Sequence, residues 1–341
     1  MAPNGIQEET LVPWLEANVP GLTPPLEFTL VAGGRSNLTF KVTDAAGTDY
    51  VLRRPPLGHV LATAHDMSRE HRIISALGPT AVPVPPALAF CDDDAVNGAP
   101  FYVMAFVDGH IIRDAGSAQV LTPEQRRTAG ESLVDVLAEI HAVDVDAVGL
   151  GDLGRREGYI ERQLNRWYKQ FGQSKTREIP AVDEVFHDLS SRIPEQGAPA
   201  IVHGDYRLDN CMIGHDGTVA AVLDWELCTL GDPLADVGLL MVYWNDPEDE
   251  HAALLAAATT SEGFPRRQDL LERYARKTGR DLAGIDFYVA FGYWKLACIL
   301  DGVYARYKHG AMGNDGADFE AFATQVDRLA ETAQQAAARI P

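Results

Sequence analysis

The run Val202-His203-Gly204-Asp205-Tyr206-Arg207-Leu208-Asp209-Asn210, followed by Val222-Leu223-Asp224-Trp225-Glu226, decides how this chain reads. Asp205 and Asn210 stand five positions apart in a loop that follows a strand-like segment. Asp224 lies fourteen residues beyond Asn210, at the end of the next strand. Each residue alone is also at home in a turn, where Asp and Asn bond their own backbone. Together they offer a carboxylate able to take the proton of an attacking hydroxyl, and two hard oxygen donors suited to Mg2+. Phosphoryl transfer needs that set: one base, and metal ligands placed to neutralise phosphate charge.

Outward from this segment the chain divides by pattern. Before it, strand-like runs dominate: Phe28 to Ala32, Leu38 to Thr43, Tyr50 to Arg53, Ala87 to Cys91 and Phe101 to Phe106. A short helix from Glu8 to Asn18 precedes them, and a second from Asp66 to Leu77, ended by Gly78, interrupts them. Beyond Val107-Asp108-Gly109 the chain turns helical. Thr122-Pro123-Glu124-Gln125 combines a capping Thr, Pro at the first helical position and Gln three residues after the cap. Leu133, Val136, Leu137 and Ile140 then recur at helical spacing. Further helices are expected around Tyr159 to Phe171, Ala181 to Arg192, Pro233 to Tyr243, Glu250 to Ala258, Arg267 to Thr278, Ile285 to Tyr307 and Phe319 to Arg339. Between them, Ala200 to His203 and Val219 to Trp225 read as a short strand pair. The expected architecture is α+β: a small antiparallel-sheet lobe, 1–107, and a larger helical lobe, 108–341, with a ligand cleft between.

The bulk properties limit the partners. With 341 residues, 46% hydrophobic and 23% charged, the composition is that of a globular protein with a substantial core. A net charge of −20 disfavours nucleic acid and anionic membranes as partners. It favours a cationic substrate weakly and solubility more generally. No apolar run approaches the roughly 20 residues of a membrane span, and the first residues lack a basic end with an apolar core. Four scattered cysteines fit free thiols in a reducing cytosol, so a cytoplasmic location is expected.

The motif order HGDxxxxN, a short β-turn-β, then LDWE resembles the aminoglycoside phosphotransferase and choline kinase superfamily, whose fold is protein-kinase-like. HGDYRLDN stands where protein kinases have HRDxxxxN, and LDWE where they have DFG. Gly231-Asp232-Pro233-Leu234-Ala235-Asp236 is similar to the same family. More narrowly, Tyr293-Trp294-Lys295-Leu296-Ala297 with Gly302-Val303-Tyr304 resembles the kinase-like domain found ahead of acyl-CoA dehydrogenase modules, and its free-standing bacterial relatives.

The resemblance implies a bilobal kinase that uses ATP and Mg2+ to phosphorylate a hydroxyl of a small molecule, with Asp205 as base and Asn210 and Asp224 as metal ligands. It implies further that Arg207 reaches the γ-phosphate and that Gly33 to Asn37, through Gly34, Ser36 and Asn37, folds over the phosphates. An ordinary hairpin turn is the other reading of that loop. Arg53 sits where relatives carry a phosphate-gripping lysine, with Glu70 as its helix-borne partner, and the backbone of Ala105 and Val107 would meet adenine. Asp232 reads as a helix cap, and Asp236 as an anchor for the catalytic loop backbone; His141, His203 and Trp225 read as structural. The acceptor classes suggested are aminoglycosides and hydroxyacyl compounds, including hydroxyacyl-CoA. The alternative is a nucleotide-binding kinase-like module with little or no turnover, since Arg replaces Lys and the loop is poor in glycine. A protein kinase fits less well, because no APE-like segment or long activation loop follows Asp224.

Overall fold

The structure, a computed structural model, describes residues 3–31, 37–57, 66–249, 258–310 and 320–340. The expected α+β architecture is found. Five strands, β1 (Glu27–Leu30), β2 (Leu38–Thr43), β3 (Asp49–Arg54), β4 (Ala87–Cys91) and β5 (Phe101–Ala105), form an antiparallel sheet in the order β1-β2-β3-β5-β4. Alternation along β2 and β3 turns Phe40, Val42, Tyr50 and Leu52 inward, where they pack against Leu11 and Leu15 of α1 (Glu8–Asn18). The other face carries Arg53 and meets α2 (Met67–Leu77). Asp66 caps α2 by accepting Arg69 N–H at 3.0 Å. The acidic turn at Asp92 to Asp94 opens a short helix, α3 (Asp94–Asn97), capped by Asp93.

The helical lobe contains α4 (Pro123–Ala142), α5 (Tyr159–Ser174), α6 (Pro180–Ser191), α7 (Leu234–Tyr243), α8 (Arg267–Thr278), α9 (Ile285–Lys308) and α10 (Glu320–Ala337). The capping box at the start of α4 forms as its sequence predicts, with Gln125 N–H donating to Thr122 Oγ1 and Thr122 N–H to Gln125 Oε1. The helix expected over Glu250 to Ala258 lies almost wholly outside the described residues. The strand pair expected between Ala200 to His203 and Val219 to Trp225 is not formed. Instead β6 (Ala200–Val202) pairs with β9 (Thr229–Gly231), and β7 (Cys211–Ile213) pairs with β8 (Val219–Val222). The turn at Asp216-Gly217 makes β7–β8 a local hairpin, which leaves β6 to a partner further along the chain.

Asp232 precedes its helix by one residue more than expected: α7 begins at Leu234, with Pro233 in the cap position. Asp232 still satisfies the helix start, accepting Leu234 N–H at 3.1 Å, and it accepts Tyr288 O–H at 2.6 Å. α7 lies flush on α9 because Gly238 has no side chain. A Cβ there would meet the Tyr288 backbone carbonyl at 2.5 Å. Gly238→Ala is therefore expected to separate the two helices and lower unfolding free energy by about 1–3 kcal/mol, measured by denaturant titration. All four cysteines are buried and free. Among the described residues no helix is long and apolar enough to cross a membrane.

Candidate active site

The loop after β6 is shaped by its backbone. Gly204 sits at φ +86°, a left-handed conformation, and a Cβ would lie 2.9 Å from Leu227 O. Asp236, in the first turn of α7, accepts His203 N–H at 2.6 Å and Gly204 N–H at 2.9 Å. The expectation that Asp236 anchors this loop therefore matches its contacts. His203 Nδ1 accepts Asp205 N–H at 3.3 Å, which leaves Nε2 to donate to Leu223 O at 2.9 Å. The ring also packs 4.8 Å from buried Trp225. His203 and Trp225 are thus structural, as read from sequence.

His141 is equally buried, with Nδ1 against Tyr274 O–H at 2.8 Å and Nε2 against Asp236 Oδ2 at 3.5 Å. Burial alone would raise the Asp236 carboxyl, but His141, the His203 ring and the Gly204 N–H outweigh it and hold it below the ordinary carboxylate range. Burial lowers the His141 imidazole in turn, against the pull of Asp236. A histidine whose folded-state pKa is depressed binds its proton more readily when unfolded. Stability should therefore fall as pH drops below about 6.5, by up to about 1.4 kcal/mol per pH unit. Urea titrations at pH 7.5 and 5.5 should show a larger loss for the wild type than for His141→Gln.

Two of the three residues predicted to do chemistry touch, and the third is joined to them through the backbone of its neighbour. Asn210 Nδ2 donates to Asp205 O at 2.8 Å and to Asp205 Oδ2 at 3.0 Å, which leaves Asn210 Oδ1 without a partner among the described residues. Leu223 N–H donates to Asn210 O at 2.8 Å and ties the strand leading to Asp224 to the loop that carries Asp205 and Asn210. Asp224 does not end β8 but follows it by two residues, at φ +63°. Asp is among the few residues that tolerate this backbone, which turns its carboxylate away from the run of the strand.

Arg53 comes from the other lobe. Its guanidinium lies 3.0 Å from Asp224 Oδ1 and 3.6 Å from Glu70 Oε2, so the expected Arg53–Glu70 pair is present and extends to Asp224. Burial disfavours the charge on Arg53, but Tyr102, Glu70 and Asp224 overcome this and keep it firmly protonated. Glu70 also accepts Tyr102 O–H at 3.0 Å and Asn37 Nδ2–H at 2.9 Å. Asn37 further reaches Glu226 Oε2 at 3.4 Å. Its side chain is 2% exposed and is spent on carboxylates rather than turned to the cleft. Gly34 and Ser36 lie outside the described residues. In the segment between the lobes, Ala105 N–H is taken by Pro86 O at 2.9 Å, whereas Val107 N–H has no acceptor among the described residues.

Arg207 is not a free surface arginine. Its Nε lies 3.4 Å from Asp205 Oδ2 and 3.1 Å from Asp209 Oδ1, and its guanidinium stacks 4.8 Å from the Tyr243 ring. Burial raises the Tyr243 phenol, and the neighbouring Asp205 carboxylate adds to the effect, so Tyr243 keeps its proton. Arg207, Asp209 and Tyr243 line a cavity of about 70 Å³ with Arg113 and Trp244. Asp209, Tyr243 and Glu226 were missed from sequence. Asp209 and Glu226 stand within the quoted motifs but were given no role, and nothing local marks Tyr243.

Among the described residues, no group of three or more His, Cys, Asp or Glu side chains is placed to hold a metal. Mg2+ does not require one, because it binds through one or two protein oxygens together with phosphates and water.

Comparisons with known proteins identify the family. The model of the phosphotransferase enzyme family (APH) matches residues 27–270. Acyl-CoA dehydrogenase family member 11 of Rattus norvegicus is 35% identical over 339 residues, covering 97% of this chain and 43% of that protein. The chain spans less than half the length of the curated relatives it matches, down to 27% of acyl-CoA dehydrogenase family member 10 of Mus musculus. A crystal structure of a candidate aminoglycoside phosphotransferase from Ralstonia eutropha JMP134 superposes with a TM-score of 0.82 at 34% identity, covering 98% of this chain and 99% of that one. Aminoglycoside phosphotransferase APH(4)-Ia, solved with AMP-PNP and hygromycin B, shares the fold, with a TM-score of 0.63 at 15% identity over 97% of this chain and 99% of that one. With this likeness spread over almost the whole chain and the family model matching most of it, the protein belongs to the phosphotransferase enzyme family.

Proposed function

We propose that the chain transfers the γ-phosphoryl group of ATP to a hydroxyl of a small molecule, with Mg2+ as its metal. The observation that supports this reading is the contact of Asn210 Nδ2 with Asp205, with Asp224 tied to the same loop through the bond from Leu223 N–H to Asn210 O.

Asp205 is the base: its carboxylate accepts the acceptor hydroxyl's proton as that oxygen bonds to phosphorus and the bond from the γ-phosphorus to the leaving oxygen breaks. Arg207 supplies positive charge beside the reacting group. Asn210 Oδ1 and the Asp224 carboxylate are hard oxygen donors of the kind Mg2+ takes, so the donor set fits the ion. When bound, Mg2+ neutralises charge on the phosphate oxygens.

Arg53, oriented by Glu70, would serve the nucleotide phosphates as a planar fork of donors. Val107 N–H and the Ala105 carbonyl would face adenine. Asn37 would anchor the start of β2 to α2 through Glu70.

A panel of hydroxylated metabolites and aminoglycosides, scored by ADP release, tests the reading. At least one acceptor should stimulate release by the wild type and none by Asp205→Asn. Equal, near-zero release from both proteins with every acceptor would favour a nucleotide-binding module instead.

A further inference from the structure

Lys295 lies in the middle of α9, 91 positions after Gly204 in sequence, yet its Nζ donates to Gly204 O at 2.7 Å. The residue is 6% exposed. A buried ammonium without compensation is costly, so its surroundings reveal what it serves. Two of those surroundings are carboxylates, Asp205 and Asp236, which favour the charged form against the burial that lowers it. From α5, the Trp167 ring lies 5.8 Å away, and Arg166 opposes the charge.

Gly204 is thus gripped at both ends. Asp236 takes its N–H and Lys295 takes its C=O, and that carbonyl belongs to the peptide joining Gly204 to Asp205. The left-handed turn at Gly204 has no side chain of its own to fix it: Asp236 holds the peptide before Gly204, and Lys295 at the C=O, with His203 Nδ1 at the Asp205 N–H, sets the plane of the peptide from which Asp205 projects.

We propose that Lys295 is a positioning residue for the transfer reaction: through the Gly204 carbonyl it aims the Asp205 carboxylate at the acceptor. This rests on the reading of Asp205 as base. It also accounts for a lysine buried in α9 between Trp294 and Leu296.

The test compares Lys295→Met with Lys295→Gln, which can still donate one hydrogen bond to Gly204 O. Lys295→Met should lower kcat about a hundredfold with KM for ATP unchanged, and Lys295→Gln about tenfold, because a small misplacement of the base carries a cost of that order. Amide hydrogen exchange should accelerate in the segment 203–210 alone, more in the Met variant than in Gln. Either folded variant showing wild-type kcat and wild-type exchange in that segment would overturn the proposal. So would faster exchange spread evenly through α5, α7 and α9, which marks a purely structural lysine. If the wild type transfers phosphate to no acceptor, the reading of Asp205 as base fails on that result, and the exchange measurement alone still decides whether Lys295 holds the loop.

Discussion

Asp205→Asn is expected to lower kcat by about 10²–10⁴-fold, the range a lost general base commands, while nucleotide binding stays near the wild-type level. The substitution preserves shape. Asn210 Nδ2 can still donate to the residue 205 carbonyl, and the new amide oxygen can replace Oδ2 as an acceptor. What disappears is basicity, together with the carboxylate partner of Arg207 at 3.4 Å. The groups assigned to the nucleotide, Arg53, Glu70 and Val107, make no hydrogen bond or ion pair with Asp205. Initial-rate kinetics with the best acceptor, beside calorimetric titration with Mg-ATP, separate the two quantities. Loss of nucleotide affinity with kcat intact would remove Asp205 from the role of base.

Asp236→Ala is expected to have the largest effect on stability, a loss of about 3–5 kcal/mol, as for a buried charge network broken on one side. The deletion leaves His203 N–H and Gly204 N–H unpaired in a dry interior, each at about 1–3 kcal/mol. It also removes one of the two carboxylates that support the buried Lys295 ammonium. Activity should fall as well, since the loop carrying Asp205 loses the grip on its N–H groups. Asp236→Asn keeps an oxygen for one of the two donors and should lie between Ala and wild type. Denaturant titration with parallel assays measures both effects; a stable, fully active Asp236→Ala would show that the loop does not depend on Asp236.

Much of this site was legible because its signals are local. Asp205, Asn210 and Asp224 occur at short, chemically meaningful separations, and the α4 capping box lies within four residues. The position of Asp236 within the first turn of α7 placed it beside the loop. What could not be read depends on packing between distant segments. The partner of β6 is β9 rather than the strand ending near Asp224, because the β7–β8 hairpin closes first in sequence and the next short strand is left over. Lys295 was visible only as one letter of a helical motif, since its bond to Gly204 O joins positions 91 apart in sequence. Tyr243 is likewise an ordinary helix-end aromatic until α7 brings it under Arg207. Asn37 reads as a phosphate-loop residue from its neighbours, whereas tertiary contact with Glu70 turns its side chain inward.

The most direct measurement is the anomalous scattering of Mn2+ in crystals grown with the metal and a non-hydrolysable ATP analogue. The account predicts a single strong peak within bonding distance of both Asn210 Oδ1 and the Asp224 carboxylate, next to the phosphates. A bound nucleotide whose metal lies away from these two side chains would contradict it.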